Sequence, residues 1–280
     1  MPDGVEQRLG GALADVAEHG LRYELAEVRR FTAEWERSAS LRLRDGDPAA
    51  LDEYAKNGRL RDGGTVEQAE AGASRAWLAD TLSGKESLLM VRDNHTAARV
   101  SAALRAELVD LGKVDEAGVP LGMDGWEGVT AGLGDLVQAR RNAWHLDGYE
   151  GNERAPINRD TFRVVAVRPD GGLTVAPIVS RADAETGAES VSAFGEALGT
   201  PLQLPSSYVT DHITLAYAST AHAAEGRTVD TSHSVFATGT DAAGLLVPMT
   251  RGRDANTAWV VTTARRRRTR DVWWDITQLR

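Results

Sequence analysis

The chain has 280 residues, 42% of them hydrophobic, enough to bury a core in one large or two small domains and too many for a disordered tail. It contains no cysteine, which excludes disulfides and cysteine-ligated zinc, and no signal peptide or apolar run of about 20 residues, so a cytoplasmic protein without a membrane span is expected. A net charge of -9 argues against a broad basic face for duplex DNA; any nucleic-acid contact is expected in a narrow single-strand groove.

Taken in chain order, residues 21–28 form a short mixed apolar run of strand type, and 32–44 read as a helix. Asp45-Gly46-Asp47-Pro48 closes that helix and opens another, because Asp caps a helix start and Pro is tolerated in the first turn. Residues 65–82 place Val66, Ala69, Ala73, Ala76, Trp77 and Leu78 at roughly helical spacing, 87–91 have strand length, and after the Asp93-Asn94 turn a helix is expected over about 96–111. Helix, strand, helix in that order predicts an α/β layer on a parallel sheet. From about 132 to 209 the character changes. Short β-like runs at 135–139, 161–167 and 173–178 are separated by turn residues, including Pro169-Asp170-Gly171-Gly172. That pattern predicts a small barrel inserted into the α/β domain, which resumes at 213–217. No internal repeat is visible, and the one biased patch is Arg265 to Arg268.

Two segments carry the chemistry: Tyr217-Ala-Ser-Thr-Ala-His-Ala-Ala-Glu-Gly-Arg-Thr-Val-Asp230 and, shortly after it, Leu246-Val-Pro-Met-Thr-Arg-Gly-Arg-Asp-Ala-Asn256. They resemble the fifth and sixth motifs of superfamily 1 helicases. Their order, the short gap and the Thr-Arg-Gly-Arg core are similar to the RecD-like helicase half of MobF-type conjugative relaxases, enzymes that nick and unwind plasmid DNA for transfer. The likeness extends over most of the chain. Residues 5–20 resemble the segment after the third motif, Glu24-Leu-Ala-Glu-Val-Arg-Arg-Phe31 the fourth motif, and 46–51 with the Trp77 helix the stretch that follows; 134–142 and 158–164 resemble the inserted SH3-like barrel.

This resemblance implies an α/β fold: the second RecA-like motor domain in two parts, 1–130 and 210–280, around an SH3-like barrel at 131–209. In such two-domain motors one domain holds ATP and magnesium, and the other reaches across with arginines that stabilise charge developing on the γ-phosphate. By the motif match Arg251 is the sixth-motif finger and Arg30 the fourth-motif one; Arg's fixed charge and planar fork suit phosphate better than Lys. Gly226, Glu225 and Arg253 fall at nucleotide-facing positions, and Thr220, His222, Arg141 and Asn142 at single-strand DNA positions. The chain departs from the family at Glu225, where Gln is usual, and at Leu246, where an aromatic is usual.

Absence is as informative. The pattern Gly-x-x-x-x-Gly-Lys-Ser/Thr occurs nowhere: its nearest lookalike, Gly84-Lys85-Glu86-Ser87, has Ala79 where the first Gly belongs and Glu86 where the hydroxyl belongs. No candidate exists for the paired acids of the second motif or the Gly-Asp-x-x-Gln of the third. The chain is therefore expected to begin where a first motor domain has ended, and to use ATP and Mg2+ only with a separate chain carrying the Walker A and B motifs. His19, His95, His145, His212, His222 and His233 share no metal-ligand spacing, so no metal site is expected. Trp144, Trp273 and Trp274 are available to stack on bases, or simply to pack. Three functions remain open: a split helicase subunit, a non-catalytic single-strand or relaxosome-partner module, and a decayed fragment.

Overall fold

The computed structural model describes residues 30–122, 129–179, 188–237, 240 and 242–263; the strand expected at 21–28, the segment 5–20, Arg265 to Arg268 and Trp273-Trp274 lie outside the described residues. Helix α1, Glu34–Arg44, has Glu34 and Glu36 in its first turn and Arg42 and Arg44 in its last, an order the helix dipole favours. It stops at the Asp47 turn, where Arg42 Nε donates to Asp47 Oδ2 at 2.8 Å and the Ala49 amide donates to Asp47 Oδ1 at 2.9 Å, opening α2, Ala49–Lys56. Strand β1, Leu60–Gly64, follows. Helix α3, Val66–Leu82, starts on a reciprocal capping box between Thr65 and Gln68, and α4, Asn94–Asp110, on Asp93, whose Oδ1 accepts the Thr96 amide at 2.8 Å.

Between those helices lies β2, Ser87–Val91. With β12, Ala218–Thr220, β13, Val229–Phe236, and β14, Gly252–Val261, it builds a five-stranded sheet of order β1-β14-β13-β2-β12 in which every neighbouring pair is parallel. The chain is thus a mixed α/β protein with a parallel sheet. Helices cover both faces, as an all-parallel sheet requires. Leu89 and Val91 pack with Ala73 and Trp77 of α3, whereas Leu88 and Met90 face the other way, against Ala224 and Val229. A separate cluster seats Ala39, Leu43, Ala50 and Tyr54 of α1 and α2 on Ala258 of β14 and Phe236 of β13.

The middle of the chain forms a second sheet, antiparallel throughout. Its strands are β5, Leu136–Ala139, β6, Thr161–Val167, β7, Leu173–Pro177, β10, Leu202–Leu204, and β11, Ile213–Leu215, in the order β10-β7-β6-β5-β11. Two short hairpins, β3, Gly118–Pro120, with β4, Thr130–Gly132, and β8, Ser190–Val191, with β9, Ala197–Leu198, flank it. The turn at 169–172 joins β6 to β7, with Gly171 at φ 82 where glycine is favoured. One expectation is corrected. Ile213 to Leu215 do not resume the parallel layer: they pair with Val137 to Ala139, and the parallel sheet resumes at Ala218. Among the described residues β10 and β11 are the two ends of the antiparallel ladder. One apolar core runs through both sheets, from Trp77 and Leu104 to Phe162 and Val175. Among the described residues no helix is long and apolar enough to cross a membrane.

Candidate arginine site at the start of the last parallel strand

The sixth-motif segment is shaped by its own residues. Pro248 opens a single 3₁₀ turn, Pro248–Thr250, because its missing amide is not needed there. Thr250 Oγ1 bonds back to Leu246 O at 2.8 Å, and Arg251 is held by Nε to Val247 O at 3.1 Å and Nη2 to Thr250 Oγ1 at 3.0 Å. Gly252 must follow: a Cβ there would meet Ala255 O at 2.2 Å, inside any real contact distance. Asn256 locks the bend, accepting the Gly252 amide on Oδ1 at 2.7 Å and donating Nδ2 to Gly252 O at 3.0 Å.

Behind Asn256 lies a buried polar relay. Its Nδ2 donates to Glu36 Oε1 of α1 at 2.8 Å, and Ser232 Oγ of β13 bonds both Asn256 Oδ1 at 2.8 Å and Pro248 O at 3.0 Å. Glu36 is fully buried, and its Oε2 has no hydrogen-bond partner. Burial pushes its carboxyl up to about 7, against the pull of the Asn256 hydrogen bond and the Arg59 charge. The relay ties α1, β13 and β14 to the Arg251 bend.

Arg30 and Arg251 come together. Arg30 Nη1 donates to Thr250 O, the carbonyl that precedes Arg251. Burial, and secondarily the charge of Arg30, lowers the Arg251 pKa; burial, and secondarily Arg253, lowers that of Arg30. Arg253 is the neutralised member, its Nη1 lying 3.2 Å from Asp230 Oδ1. Neither Arg30 nor Arg251 makes an ion pair with a carboxylate among the described residues; Glu225 is the acid whose field reaches Arg251.

The remaining expected residues divide. Glu225 is exposed and lies 3.6 Å from the exposed His222. Gly226 sits at φ 80, and a Cβ on it would meet nothing within 4 Å, so the loop passes through open space. Thr220 sits at the opposite end of the sheet from Arg251: it is in register with Val91, the last residue of β2, whereas Gly252 is in register with Val229, the first of β13. Its Oγ1 accepts the Ala223 amide at 3.3 Å as the cap of a 3₁₀ turn, Ala221–Ala224. Arg141 and Asn142 belong to the other sheet, in the loop after β5, where Asn142 Oδ1 accepts the Asn158 amide at 2.7 Å and Arg141 O accepts the Tyr208 hydroxyl. No hydrogen bond or ion pair among the described residues joins them to Thr220 or His222. The Gly84-Lys85 lookalike is a helix end: the Gly84 amide bonds Thr81 O and the Lys85 amide bonds Asp80 O, and a strand follows where a phosphate loop would lead into a helix. Among the described residues no group of three or more His, Cys, Asp or Glu side chains could hold a metal ion. Glu36, Ser232 and the locking role of Asn256 were not singled out from the sequence; the Gly252–Asn256 spacing was the available signal.

Residues 3–65 match the AAA domain family. The described part of that match carries Arg30, α1, α2 and β1. Two uncharacterized Mycobacterium tuberculosis proteins, Rv2311 of strain H37Rv and MT2373 of strain CDC 1551, are each 43% identical over 53 residues, which cover 19% of this chain and 30% of theirs. Among solved structures, a Bacteroides Pif1 helicase in complex with ADP-AlF3 and ssDNA aligns with 85% of this chain and 51% of its own at 14% identity and a TM-score of 0.45. Pif1 helicase from Candida albicans aligns with 85% and 55% at 11% identity and a TM-score of 0.41. The chain thus spans 30% of the curated relatives and about half of these structures.

Proposed function

We propose that this chain is the second RecA-like half of a DNA helicase of conjugative relaxase type, with the antiparallel sheet as its counterpart of the SH3-like insertion. In this reading Arg251 and Arg30 reach across a cleft to the γ-phosphate of ATP held, with Mg2+, by a first motor domain on another chain. The observation that carries it is the pair itself: two half-buried guanidinium groups, in contact through Thr250 and without an ion-paired carboxylate among the described residues, where β14 begins. Keeping two cations together out of water is unfavourable unless an anion completes the site, and a triphosphate is such an anion. Charge that grows on the leaving phosphoryl group would be met by arginines already in place, a contribution of about 10³ to 10⁵ in rate where arginine fingers have been measured.

The chain's own residues account for the geometry and not for holding the nucleotide. The Asn256 relay fixes the bend that aims Arg251, and Gly226 lets the neighbouring loop approach. Strand contacts are assigned to Thr220 and His222, with Arg141 and Asn142 on the second sheet. Beside those two, Trp144 is 69% exposed, a surface on which a base can stack. The test is strand-dependent ATP hydrolysis by this chain, by a separately expressed first motor domain, and by the two mixed. Turnover is expected only in the mixture; turnover by this chain alone, or none in the mixture, overturns the proposal.

A further inference from the structure

A cleft of about 440 Å³ lies between the starts of β2 and β13 on one side and the antiparallel sheet on the other, and neither Arg30 nor Arg251 lines it. Five cationic side chains line it, and three are neutralised. Arg163 is bidentate on Glu196, at 2.9 and 2.6 Å; Arg154 Nη1 lies 2.5 Å from Asp160 Oδ2, and Lys85 Nζ 3.0 Å from Asp80 Oδ1. The other two are Arg227 and Arg159. The Arg227 guanidinium makes no hydrogen bond and no ion pair among the described residues; burial lowers its pKa, and only the field of Glu86 opposes that. Arg159 makes one long contact, Nη1 to Gln138 Oε1 at 3.5 Å, and holds its place with a backbone φ of 80, a conformation unfavourable for any residue with a Cβ.

Two observations therefore meet in one cavity: a part-exposed arginine with no hydrogen bond or ion pair among the described residues, and an arginine kept in a strained conformation that its own amide, bonded to Ala139 O at 2.8 Å, maintains. A guanidinium held partly out of water is stabilised when an oxyanion supplies the acceptors that water has lost, and both arginines line the same cleft.

We propose that this cleft is a phosphate-binding site, with Arg227 and Arg159 as its principal ligands. The phosphate belongs either to a small soluble phosphate or to a nucleic-acid backbone, and the two sources differ in what displaces them. The inference does not depend on the role proposed for Arg251. The test is calorimetric titration of the full chain with pyrophosphate and, separately, with an oligothymidylate lacking a terminal phosphate, using wild type, Arg227→Met and Arg159→Gly. Glycine suits a φ of 80, so the second variant is expected to fold even where the first does not. Wild type is expected to bind at least one probe, and each folded variant to bind it about tenfold or more weakly, the scale of one lost charge-assisted pair. Binding of pyrophosphate alone assigns a small ligand; binding of the oligonucleotide assigns a backbone. Failure of wild type to bind either probe, or unchanged affinity in Arg159→Gly, overturns the site.

Discussion

In and against the antiparallel sheet arginines withdrawn from water are matched with acids. Arg105 of α4 donates Nε to Asp135 Oδ2 at 2.7 Å, and Arg163 of β6 grips Glu196, their side chains being 11% and 3% exposed. Where β14 of the parallel sheet begins, Arg30 and Arg251 are half-buried and feel each other's charge. The same side chain serves as a strut in one place and as a held-back charge in the other. What separates them, among the described residues, is whether a carboxylate bonds the guanidinium directly. Removing a strut should damage the fold and removing a held-back charge should not, which gives four ways to probe the contrast.

The largest effect is expected at Asp135. Its carboxylate accepts Arg105, the Gly132 amide at 2.7 Å and the Tyr217 hydroxyl at 2.6 Å, so Asp135→Ala strands a buried cation and two donors at once. A loss of about 3–5 kcal/mol in urea unfolding is expected; a loss below about 1 kcal/mol would remove the distinction between strut and free charge. Glu36 comes next. Its folded pKa of about 7 stands above the unfolded value, so the native state binds the extra proton and stability declines as pH rises from about 4.5 to about 7, then levels. The decline should be roughly 3 kcal/mol, and Glu36→Gln, which keeps an acceptor for Asn256, should flatten it; a Glu36→Gln protein with the same pH profile as wild type contradicts the assignment.

Smaller again is Gly252→Ala. Its new methyl meets Ala255 O, so about 1–3 kcal/mol should be lost as the bend shifts, measured by thermal unfolding. Last, Arg251→Ala should change stability by no more than about 0.5 kcal/mol, because it also relieves repulsion with Arg30.

How far the sequence announced all this depended on which signal each element uses. α3 and β2 were legible because Ala69, Ala73 and Trp77 repeat at helical spacing and Leu88 to Val91 form an apolar run. β13 was hidden: Asp230, Thr231, Ser232, His233 and Ser234 are all buried, and Ser232 bonds Asn256 while His233 Nε2 bonds Asp80 at 2.9 Å. A hydrophobicity pattern cannot show a strand whose buried side chains are polar. β1 was missed because Arg61-Asp62-Gly63-Gly64 is an edge strand with no apolar face. Ile213 to Leu215 would suit either sheet, and only pairing with β5 decides between them. Of the site, the Thr250-Arg251-Gly252-Arg253 core was visible as a motif. Glu36 was not, since a single acid on a helix carries no pattern until the fold brings neighbours to it, and Arg227, although inside the Tyr217–Asp230 segment, was not singled out there.

The most direct test of the held-back charge is to mix wild-type, Arg251→Lys and Arg251→Ala chains with the first motor domain, and to measure strand-stimulated phosphate release together with single-strand affinity. The account predicts that Arg251→Ala loses release by about 10³-fold or more, that Lys recovers little of it because it lacks the planar fork, and that strand affinity is unchanged. Release that survives in Arg251→Ala, or falls only in step with strand affinity, would contradict it.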